Sequence, residues 1–185
     1  EEHTMGDIKE MQAPARERRL LILGAGGFGR VVYELAEELG IYYGIAFLDD
    51  AAQGENVVGK LEDYQKLFGE YTHAIVAMGN NALRLQWMQR LEAVGYRLPV
   101  LRHPTAWVSG SARVGQGSVI LPYSVVGAGA AVGCGTILNV ASAVDHDCAV
   151  GDGCHICLHA VVKDQSTVPP CTKVEAGQVF GRDSM

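Results

Sequence analysis

A histidine between two aspartates is the group in this chain best suited to proton transfer. The group is Asp145-His146-Asp147, and a second histidine, His155, follows nine positions after His146. Histidine suits the role of a general base because its unperturbed pKa of about 6.5 lies close to neutral pH. His146 is therefore the first candidate for a catalytic side chain, and the surrounding sequence must show what positions it.

A six-residue repeat surrounds this histidine and predicts the element that holds it. A branched aliphatic residue returns at every sixth position, and the residue four places after each one is small in all but the last repeat. The aliphatic residues are Val108, Val114, Ile120, Val126, Val132, Leu138, Val144, Val150, Ile156, Val162, Val168 and Val174. A period of six fits neither a helix nor an alternating strand, so it predicts a solenoid of short strands and tight corners.

Three such strands close one coil, so residues 103–181 are predicted to form a left-handed parallel β-helix of about four coils. His146 belongs to neither inward column of this pattern. Its ring is therefore expected to project outwards from a corner.

A membrane span is the alternative interpretation of part of this repeat. Residues 114–144 carry no charge and are long enough to cross a bilayer. Glycine and polar residues recur within them, however, and the aliphatic period remains six. We therefore favour the solenoid and expect no membrane insertion.

A glycine-rich turn near the amino terminus could bind a ligand. Residues 19–23 have the pattern of a strand, and residues 28–39 that of an amphipathic helix ended by Gly40. The glycines of the turn between them are Gly24, Gly26, Gly27 and Gly29. They permit a tight turn and the close approach of a ligand, while the helix N-terminus offers N–H groups and a positive dipole end to phosphate.

Further strands and helices predict a Rossmann-like α/β unit over residues 19–102. The predicted strands are 45–48, 73–78 and 98–101, and the predicted helices are 61–68 and 82–94. Ligands bind such folds at the C-terminal ends of the strands. Asp49, Asp50, Asn80 and Asn81 follow predicted strands and are candidates there, although the two asparagines could equally form a turn. An acid at Asp49 would also hold the ribose in an NAD-dependent oxidoreductase, which is a further alternative.

Composition limits the classes of partner. The net charge is −6 and no basic stripe is present, so we expect no nucleic-acid partner. Residues 1–18 lack periodicity and the apolar core of a signal peptide, so we predict a mobile tail or a remnant of cloning on a cytoplasmic protein. Five cysteines, an odd number, fit a reduced compartment better than a disulfide framework.

A metal site is an alternative function for the cysteines and histidines near His146. Cys148 and Cys154 fall in the inward small-residue column, where a thiol is a compact apolar filler. Some β-helix proteins are zinc carbonic anhydrases, which makes His146, His155 and His159 the remaining possible ligand set. We favour packing for the thiols and expect no metal.

Over residues 19–181 the chain resembles the bacterial nucleotide-sugar acyltransferases, which include UDP-4-amino-sugar N-acetyltransferases and sialic acid O-acetyltransferases. The likeness rests on the glycine turn, on several short motifs and, above all, on Asp145-His146-Asp147-Cys148 followed by His155. The short motifs are Phe47-Leu48-Asp49-Asp50, Gly79-Asn80-Asn81, Leu121-Pro122-Tyr123 and Ile137-Leu138-Asn139.

The resemblance implies acetyl transfer from acetyl-CoA to the amino or hydroxyl group of a nucleotide sugar, with a UDP-amino sugar preferred. It implies a homotrimer whose active sites lie between neighbouring β-helices. In those sites His146 is the general base, Asp147 or else Asp145 orients its ring, and His155 lies near the acetyl group in the same pocket.

The resemblance also assigns a substrate-binding set. The glycine turn would face the phosphates, Asp49 and Asp50 would lie near the uridine, and Asn139 would reach the sugar. Asn80 is a further substrate-binding candidate from the family motif.

The chain departs from the family pattern in three places. Fewer repeats follow His155 than is usual, so much of the CoA-binding wall is expected to be absent. Phe28 stands where relatives commonly have histidine, and Cys157-Leu158-His159 replaces a Ser/Pro-Gly segment. These departures support an alternative function, a non-catalytic nucleotide-sugar-binding trimer that regulates or scaffolds a partner enzyme.

Overall fold

A computed structural model describes residues 18–181, and the first part of it is a four-stranded parallel sheet with helices. The strands are β1 (Arg19–Leu23), β2 (Gly44–Leu48), β3 (Val57–Gly59) and β4 (His73–Val76), in the spatial order β3-β2-β1-β4. The helices are α1 (Gly27–Leu39), a 3₁₀ turn (Leu61–Asp63), α2 (Tyr64–Leu67) and α3 (Asn81–Val94). Apart from Arg18, the predicted tail lies outside the described residues.

Burial on both faces explains the composition of the central strand. Leu20, Leu21, Ile22 and Leu23 are fully buried, because β1 lies between β2 and β4 and is covered on both sides. Leu23 pairs with Leu48 and with Val76 in register. The residues that follow these strands therefore meet at one edge of the sheet, which we call the carboxyl edge (residues 24–29, 49–50 and 77–81).

The rest of the described chain is a coil of two-residue parallel strands, which we call the prism. Its strands are β5 (Leu101–Arg102), β6 (Trp107–Val108), β7 (Arg113–Val114), β8 (Val119–Ile120), β9 (Val125–Val126), β10 (Ala131–Val132), β11 (Ile137–Leu138), β12 (Ala143–Val144), β13 (Ala149–Val150), β14 (His155–Ile156), β15 (Val161–Val162), β16 (Thr167–Val168), β17 (Lys173–Val174) and β18 (Val179–Phe180). They form the predicted three sheets.

Each sheet collects every third strand. We name them the covered sheet (β17-β14-β11-β8-β5), the apolar sheet (β18-β15-β12-β9-β6) and the open sheet (β16-β13-β10-β7). The aliphatic column of the repeat fills the interior between them and is buried from Ile120 to Val174. Residues 114–144, which resembled a membrane span, contain five of these strands and the end of a sixth, β7. None of the helices within residues 18–181 is long and apolar enough to cross a membrane.

The small-residue column does more than fill space. The Ser118 hydroxyl donates to the Gly133 carbonyl at 3.0 Å, and the thiols of Cys148 and Cys154 donate to carbonyls of Lys163 and Pro169 at 2.9 and 3.1 Å. The prediction that these thiols are simply apolar filler was incomplete, because they also satisfy backbone carbonyls at the corners.

Two predicted elements differ in the structure. Residues 98–101 do not form a fourth strand of the α/β sheet; only Arg97 bridges to His73, and Leu101–Arg102 pairs with Val119–Ile120 in the prism. The predicted helix at 61–68 is divided into a 3₁₀ turn and a single α-helical turn. The short edge strand β3 had no recognisable pattern, because only three residues pair and only one side of them is covered.

The α/β unit packs against the outward face of the covered sheet. Leu101, Val119 and Leu121 belong to one buried cluster with Leu20 and Ile22. Helix α3 crosses the corner between the open and covered sheets, where Met88 lies so close to Gly135 that a Cβ there would fall 2.5 Å from its sulfur. We call this contact between the two units the seam.

Candidate active site

His146 and Asp147 form the exposed turn between β12 and β13, at the corner between the apolar and open sheets. His146 Nδ1 lies 2.9 Å from Asp147 Oδ2, and the His146 side chain is 49% exposed. Because the carboxylate can only accept, Nδ1 carries the proton and donates it to Asp147. Nε2 therefore keeps a lone pair that can accept a proton.

Carboxylates surround this imidazole. The hydrogen bond that Nδ1 donates to Asp147 raises the pKa of His146 above its ordinary value; burial opposes this rise, and the charges of Asp145, Asp147 and Asp164 add to it. Asp145 has a second contact, since its Oδ1 accepts the backbone N–H of His146 at 2.7 Å. Asp147 is thus the partner of the ring, and Asp145 shapes the turn.

The backbone of this turn is strained and closely packed. Asp147 has a φ of +55°, a left-handed conformation that is strained for residues with a Cβ, although aspartate and asparagine adopt it more often than most. Gly129 lies directly beside it in the preceding coil, and a Cβ at Gly129 would fall 2.5 Å from Asp147 Oδ1. The orientation of the Asp147 carboxylate therefore depends on Gly129 having no side chain.

His155 lies elsewhere, on the outward face of the covered sheet near the seam, and it is paired with Asn139. The Asn139 Oδ1 accepts the Val140 N–H at 2.8 Å, which turns its amide nitrogen towards His155 Nε2 at 3.2 Å. Asn139 is the donor in this contact, so His155 Nε2 is an acceptor and the ring proton lies on Nδ1. The structure thus brings together the predicted acyl-binding and sugar-binding residues.

The electrostatic setting of His155 is opposite to that of His146. Burial lowers the pKa of His155 to about 4, with further lowering by the charges of Arg84 and Lys173 and a smaller opposing effect of Glu175. The ring is therefore neutral near pH 7, as its role as an acceptor for Asn139 requires.

A single chain does not bring the two histidines together. The corner that carries His146 joins the apolar and open sheets, while His155 lies on the covered sheet, which is the side of the triangle opposite that corner. The prism interior separates them. The predicted common pocket would need His146 from one chain and His155 from another.

The glycine turn opens the carboxyl edge as predicted, but its glycines differ in role. Gly29 is structural, because a Cβ there would fall 2.0 Å from the carbonyl oxygen of Gly24. Gly24 has a φ of +104° and lies against Ala77. Gly26 and Gly27 are exposed, and nothing lies within 4 Å of where their Cβ atoms would be. The open space beside the turn is therefore at Gly26, Gly27 and the N-terminus of α1.

Asp49, Asp50 and Asn80 bind backbone in the structure. Asp49 accepts the N–H groups of Ala25, Ala51 and Ala52 at 2.8, 2.9 and 2.7 Å, and these three bonds lower its pKa. Asp50 accepts the Leu61 N–H at 3.1 Å. Asn80 caps α3 by accepting the Leu83 N–H at 3.0 Å. All three lie at the carboxyl edge, where they shape its loops.

Of two further residues at the seam, Asn81 was a candidate from the sequence and Arg84 was not. Arg84 is fully buried on α3 and donates to backbone carbonyls of both units. Asn81 donates to the Cys171 carbonyl of the prism at 2.9 Å and accepts from Arg84. A buried arginine on a helix has no local signal, whereas the Asn139–His155 pair could have been found from the repeat, which places strands β11 and β14 side by side.

A groove of about 460 Å³ runs along the open sheet and extends to its corner with the covered sheet, at Cys134, Gly151 and Pro170. Small residues form its floor, among them Ala131, Ala149, Gly133 and Gly151. Within residues 18–181 there is no group of three or more histidine, cysteine, aspartate or glutamate side chains that could hold a metal. The described residues thus provide a possible base at His146, the hydrogen-bonded Asn139–His155 pair near the seam and a shallow groove on the open sheet.

Comparisons with known proteins identify the family. A family model described as the PglD N-terminal domain matches residues 19–91. The acetyltransferase domain of PglB from Neisseria gonorrhoeae FA1090, solved in complex with acetyl coenzyme A, is 41% identical with a TM-score of 0.85, and the match covers 88% of this chain and 82% of that chain.

More distant structures have the same fold. PerB from Caulobacter crescentus, solved in complex with CoA and GDP-perosamine, is 28% identical with a TM-score of 0.76 over 89% of both chains. WeeI from Acinetobacter baumannii AYE, at 19% identity and a TM-score of 0.64 over 88% of both chains, shows likeness of fold alone. The resemblance predicted from the motifs is confirmed: the chain belongs to the nucleotide-sugar acyltransferase family and is an acyltransferase.

Proposed function

We propose that this protein transfers the acetyl group of acetyl-CoA to the amino group of a nucleotide-linked sugar, with His146 as the general base. The observation that carries the proposal is the His146–Asp147 pair, an exposed imidazole whose Nδ1 is held by a carboxylate 2.9 Å away. The PglB domain binds acetyl coenzyme A and PerB binds GDP-perosamine. A UDP-amino sugar remains our preferred acceptor, and a sugar hydroxyl is the alternative acceptor group.

In this reaction the acceptor nitrogen attacks the thioester carbonyl while His146 Nε2 takes its proton. The C–N bond forms, the C–S bond breaks, and the thiolate of CoA leaves with the proton that the imidazolium returns. Asp147 stabilises the imidazolium through Nδ1. His155 and Asn139 bind the acetyl group and the sugar at the seam.

The division of labour within the fold belongs to the same proposal. Residues 19–100 act as a Rossmann-like unit that binds the nucleotide sugar at the carboxyl edge, where the exposed Gly26 and Gly27 and the helix N-terminus favour phosphate. Residues 101–181 act as a left-handed β-helix that carries the acetyl-transfer residues. The 460 Å³ groove on the open sheet supports CoA binding by a short prism.

A homotrimer completes the site in this proposal. Opposite placement of His146 and His155 makes the contact between copies heterologous, and a heterologous contact forms a closed ring when the rotation between copies is one third of a turn, as in a trimer. The apolar sheet offers a surface for such a contact. Its outward column is Trp107, Val125, Ala143, Val161 and Val179, of which Trp107 and Val179 are 57% and 56% exposed.

The test combines turnover with binding. Thiol release from acetyl-CoA is measured with UDP- and GDP-linked amino sugars, and calorimetry measures binding of each substrate. We expect His146→Ala to lower kcat by about 10²–10⁴-fold, because a general base contributes that much, while nucleotide-sugar affinity is unchanged. His159→Ala, a histidine at another turn of the prism, is the control and should retain full turnover.

Two results would contradict the proposal. Undiminished turnover by His146→Ala would remove the base assignment. Binding of a nucleotide sugar without any binding of acetyl-CoA would instead favour the non-catalytic alternative.

A further inference from the structure

Arg84 is a fully buried cation at the seam between the α/β unit and the prism. Its guanidinium donates hydrogen bonds to five acceptors from both units. Nε donates to the Gly135 carbonyl at 2.7 Å, one terminal nitrogen to the Met78 carbonyl at 2.7 Å, and the other to Asn81 Oδ1, the Gly153 carbonyl and the Cys154 carbonyl at 2.9, 2.8 and 3.1 Å.

None of these partners is charged. Burial lowers the pKa of Arg84 to about 10, so the side chain stays protonated at neutral pH. Across residues 18–181 no carboxylate pairs with it. A buried charge that only neutral groups compensate is costly. Natural proteins tolerate such costs mainly at functional sites.

The hydrogen bonds of Arg84 join two segments that the proposed reaction has to align. Met78 and Asn81 belong to the carboxyl edge, directly after β4. Gly153 and Cys154 immediately precede His155 on β14. One rigid, planar group therefore joins the loop of the α/β unit to the strand that carries the Asn139–His155 pair.

We propose that Arg84 is a positioning residue of the transferase, which holds the carboxyl edge at a fixed distance from His155 and Asn139. The inference rests on the proposed function, since it assumes a nucleotide sugar bound across the seam. Its geometric part, the attachment of the Met78–Asn81 loop to the strand of His155, does not depend on the identity of the substrate.

The charge of Arg84 gives it a second effect on the same pair. His155 faces Arg84 from α3, and Lys173 and Glu175 from the coil below. Lys173 is exposed and paired with Glu175 at 3.0 Å, so solvent and its partner weaken its field. Burial is the main cause that lowers the pKa of His155, and the buried charge of Arg84 lowers it further, which favours the neutral ring that accepts the Asn139 amide.

Two substitutions separate these effects. Arg84→Lys keeps the charge but loses the planar donor set that spans both units. Arg84→Met removes both. The readouts are kcat and KM for each substrate, and the titration midpoint of His155 by NMR on the full-length protein, with the resonance assigned from a His155→Gln sample.

We expect both variants to raise KM for the nucleotide sugar more than KM for acetyl-CoA. Sugar kcat/KM should fall by about 10²-fold, the loss typical of a misplacement of about 1 Å. Arg84→Met should raise the His155 midpoint above that of the wild type, because one of the charges that lower its pKa is lost, while burial still keeps it below the ordinary value near 6.5. Arg84→Lys should leave the midpoint near that of the wild type.

Leu91→Ala is the matched control, because Leu91 is fully buried on the same helix but packs into the α/β core. It should lower the thermal midpoint without changing either readout. The proposal is overturned if Leu91→Ala reproduces the KM pattern, or if Arg84→Lys has wild-type KM values. If Arg84→Met does not fold, the Arg84→Lys kinetics decide the matter alone.

Failure of the proposed function gives a different result. If the wild type acetylates no nucleotide amino sugar, the His155 midpoint and calorimetric affinity for UDP or GDP still test Arg84. An unchanged midpoint in Arg84→Met together with unchanged nucleotide affinity would overturn the positioning role.

Discussion

At the scale of single residues, the candidate site contains two histidines whose proton affinities are moved in opposite directions. Hydrogen bonding to Asp147 raises the pKa of His146, whereas burial lowers that of His155 to about 4. Near neutral pH only His146 can change its protonation state over the course of a reaction. Divergent pKa values of this kind separate the group that moves a proton from the group that only binds.

Asp147→Asn should shift the pH profile of the enzyme to lower pH. The base must be neutral to accept a proton, so kcat/KM falls on the acid side as His146 becomes protonated. Because Asp147 raises the pKa of His146, replacing its charge lowers that pKa. The acid limb of the pH profile therefore shifts to lower pH. The maximal rate should also fall, by about 10-fold or more, since the imidazolium loses its partner.

The measurement is kcat/KM against pH for the wild type, Asp147→Asn and Asp145→Asn. Asp145 acts on His146 through space and through the backbone N–H, so its variant should shift the limb less. An acid limb that stays in place in Asp147→Asn would show that another group carries the titration.

The sequence revealed the residues of this site where their partners are local or lie in the next coil of the repeat, as for Asn139 and His155. His146 and Asp147 are neighbours, so the pair could be predicted from the motif and the corner position. The five acceptors of Arg84 include carbonyls 51 to 70 positions away, and a charged residue on a helix is ordinarily predicted to face solvent. Asp49 lay at the predicted edge, but its backbone bonds could not be foreseen, because they depend on the conformation of the turn at Ala25.

At the scale of elements, the turns of the prism explain why Asp147 keeps a left-handed backbone conformation. The second residue of successive turns takes a positive φ, whether glycine, as at Gly129 and Gly177, or another residue, as at Asp147 and His159. The stacked strands impose this conformation, so Asp147 is held in it by hydrogen bonds of the coils above and below. A left-handed aspartate that aims its carboxylate at His146 is therefore a consequence of the repeat.

Gly129→Ala should damage catalysis more than its effect on folding explains. An alanine in a left-handed conformation costs about 1–2 kcal/mol, and at Gly129 its Cβ would also fall 2.5 Å from Asp147 Oδ1. The carboxylate must move and the hydrogen bond to His146 weakens.

Gly177→Ala provides the matched comparison. Gly177 has a φ of +71°, close to the +69° of Gly129, but nothing lies within 4 Å of its Cβ position. Thermal melts should show similar destabilisation of both variants, while only Gly129→Ala should lose kcat. Equal kcat in the two variants would mean that the Asp147 carboxylate does not contribute to the rate.

Elements with a strong period were predictable, and elements fixed by contact with another unit were not. Twelve repeats specified twelve of the fourteen prism strands, β6 to β17, because each inward residue there must be aliphatic. Residues 98–101 resembled a strand of the α/β sheet, but Leu101 instead pairs with Val119 and is buried against the α/β unit. The sequence pattern of residues 98–101 indicates that they are buried, but it does not show which sheet they pair with.

At the scale of the whole molecule, the apolar sheet should decide the oligomeric state. Val125 is 38% exposed in the outward column of that sheet. Val125→Glu would place a charge in an apolar contact, and we expect it to convert a trimer of three 19.8 kDa chains into monomers. Light scattering after size-exclusion chromatography gives the mass.

Val58→Glu is the control for this substitution. Val58 is also an exposed valine on a strand, at 45%, but it lies at the edge of the α/β sheet. It should leave the mass and turnover unchanged. A wild-type protein that elutes as a monomer, or a Val125→Glu protein that remains trimeric, would place the contact elsewhere or remove it.

Subunit mixing tests whether the active site is shared, because His146 and His155 of one chain lie on opposite sides of the prism. His146→Ala and His155→Ala should each be inactive alone. In a mixed trimer one of the three contacts joins an intact His146 to an intact His155, so equal co-expression should restore about a quarter of wild-type turnover. Mixing His146→Ala with a His146→Ala, His155→Ala double variant is the control and should restore nothing.

If the two single variants stay inactive when mixed and co-purify as one trimer, each site must lie within one chain. His146 and His155 would then have to act together within one chain, across the covered sheet, and not between copies.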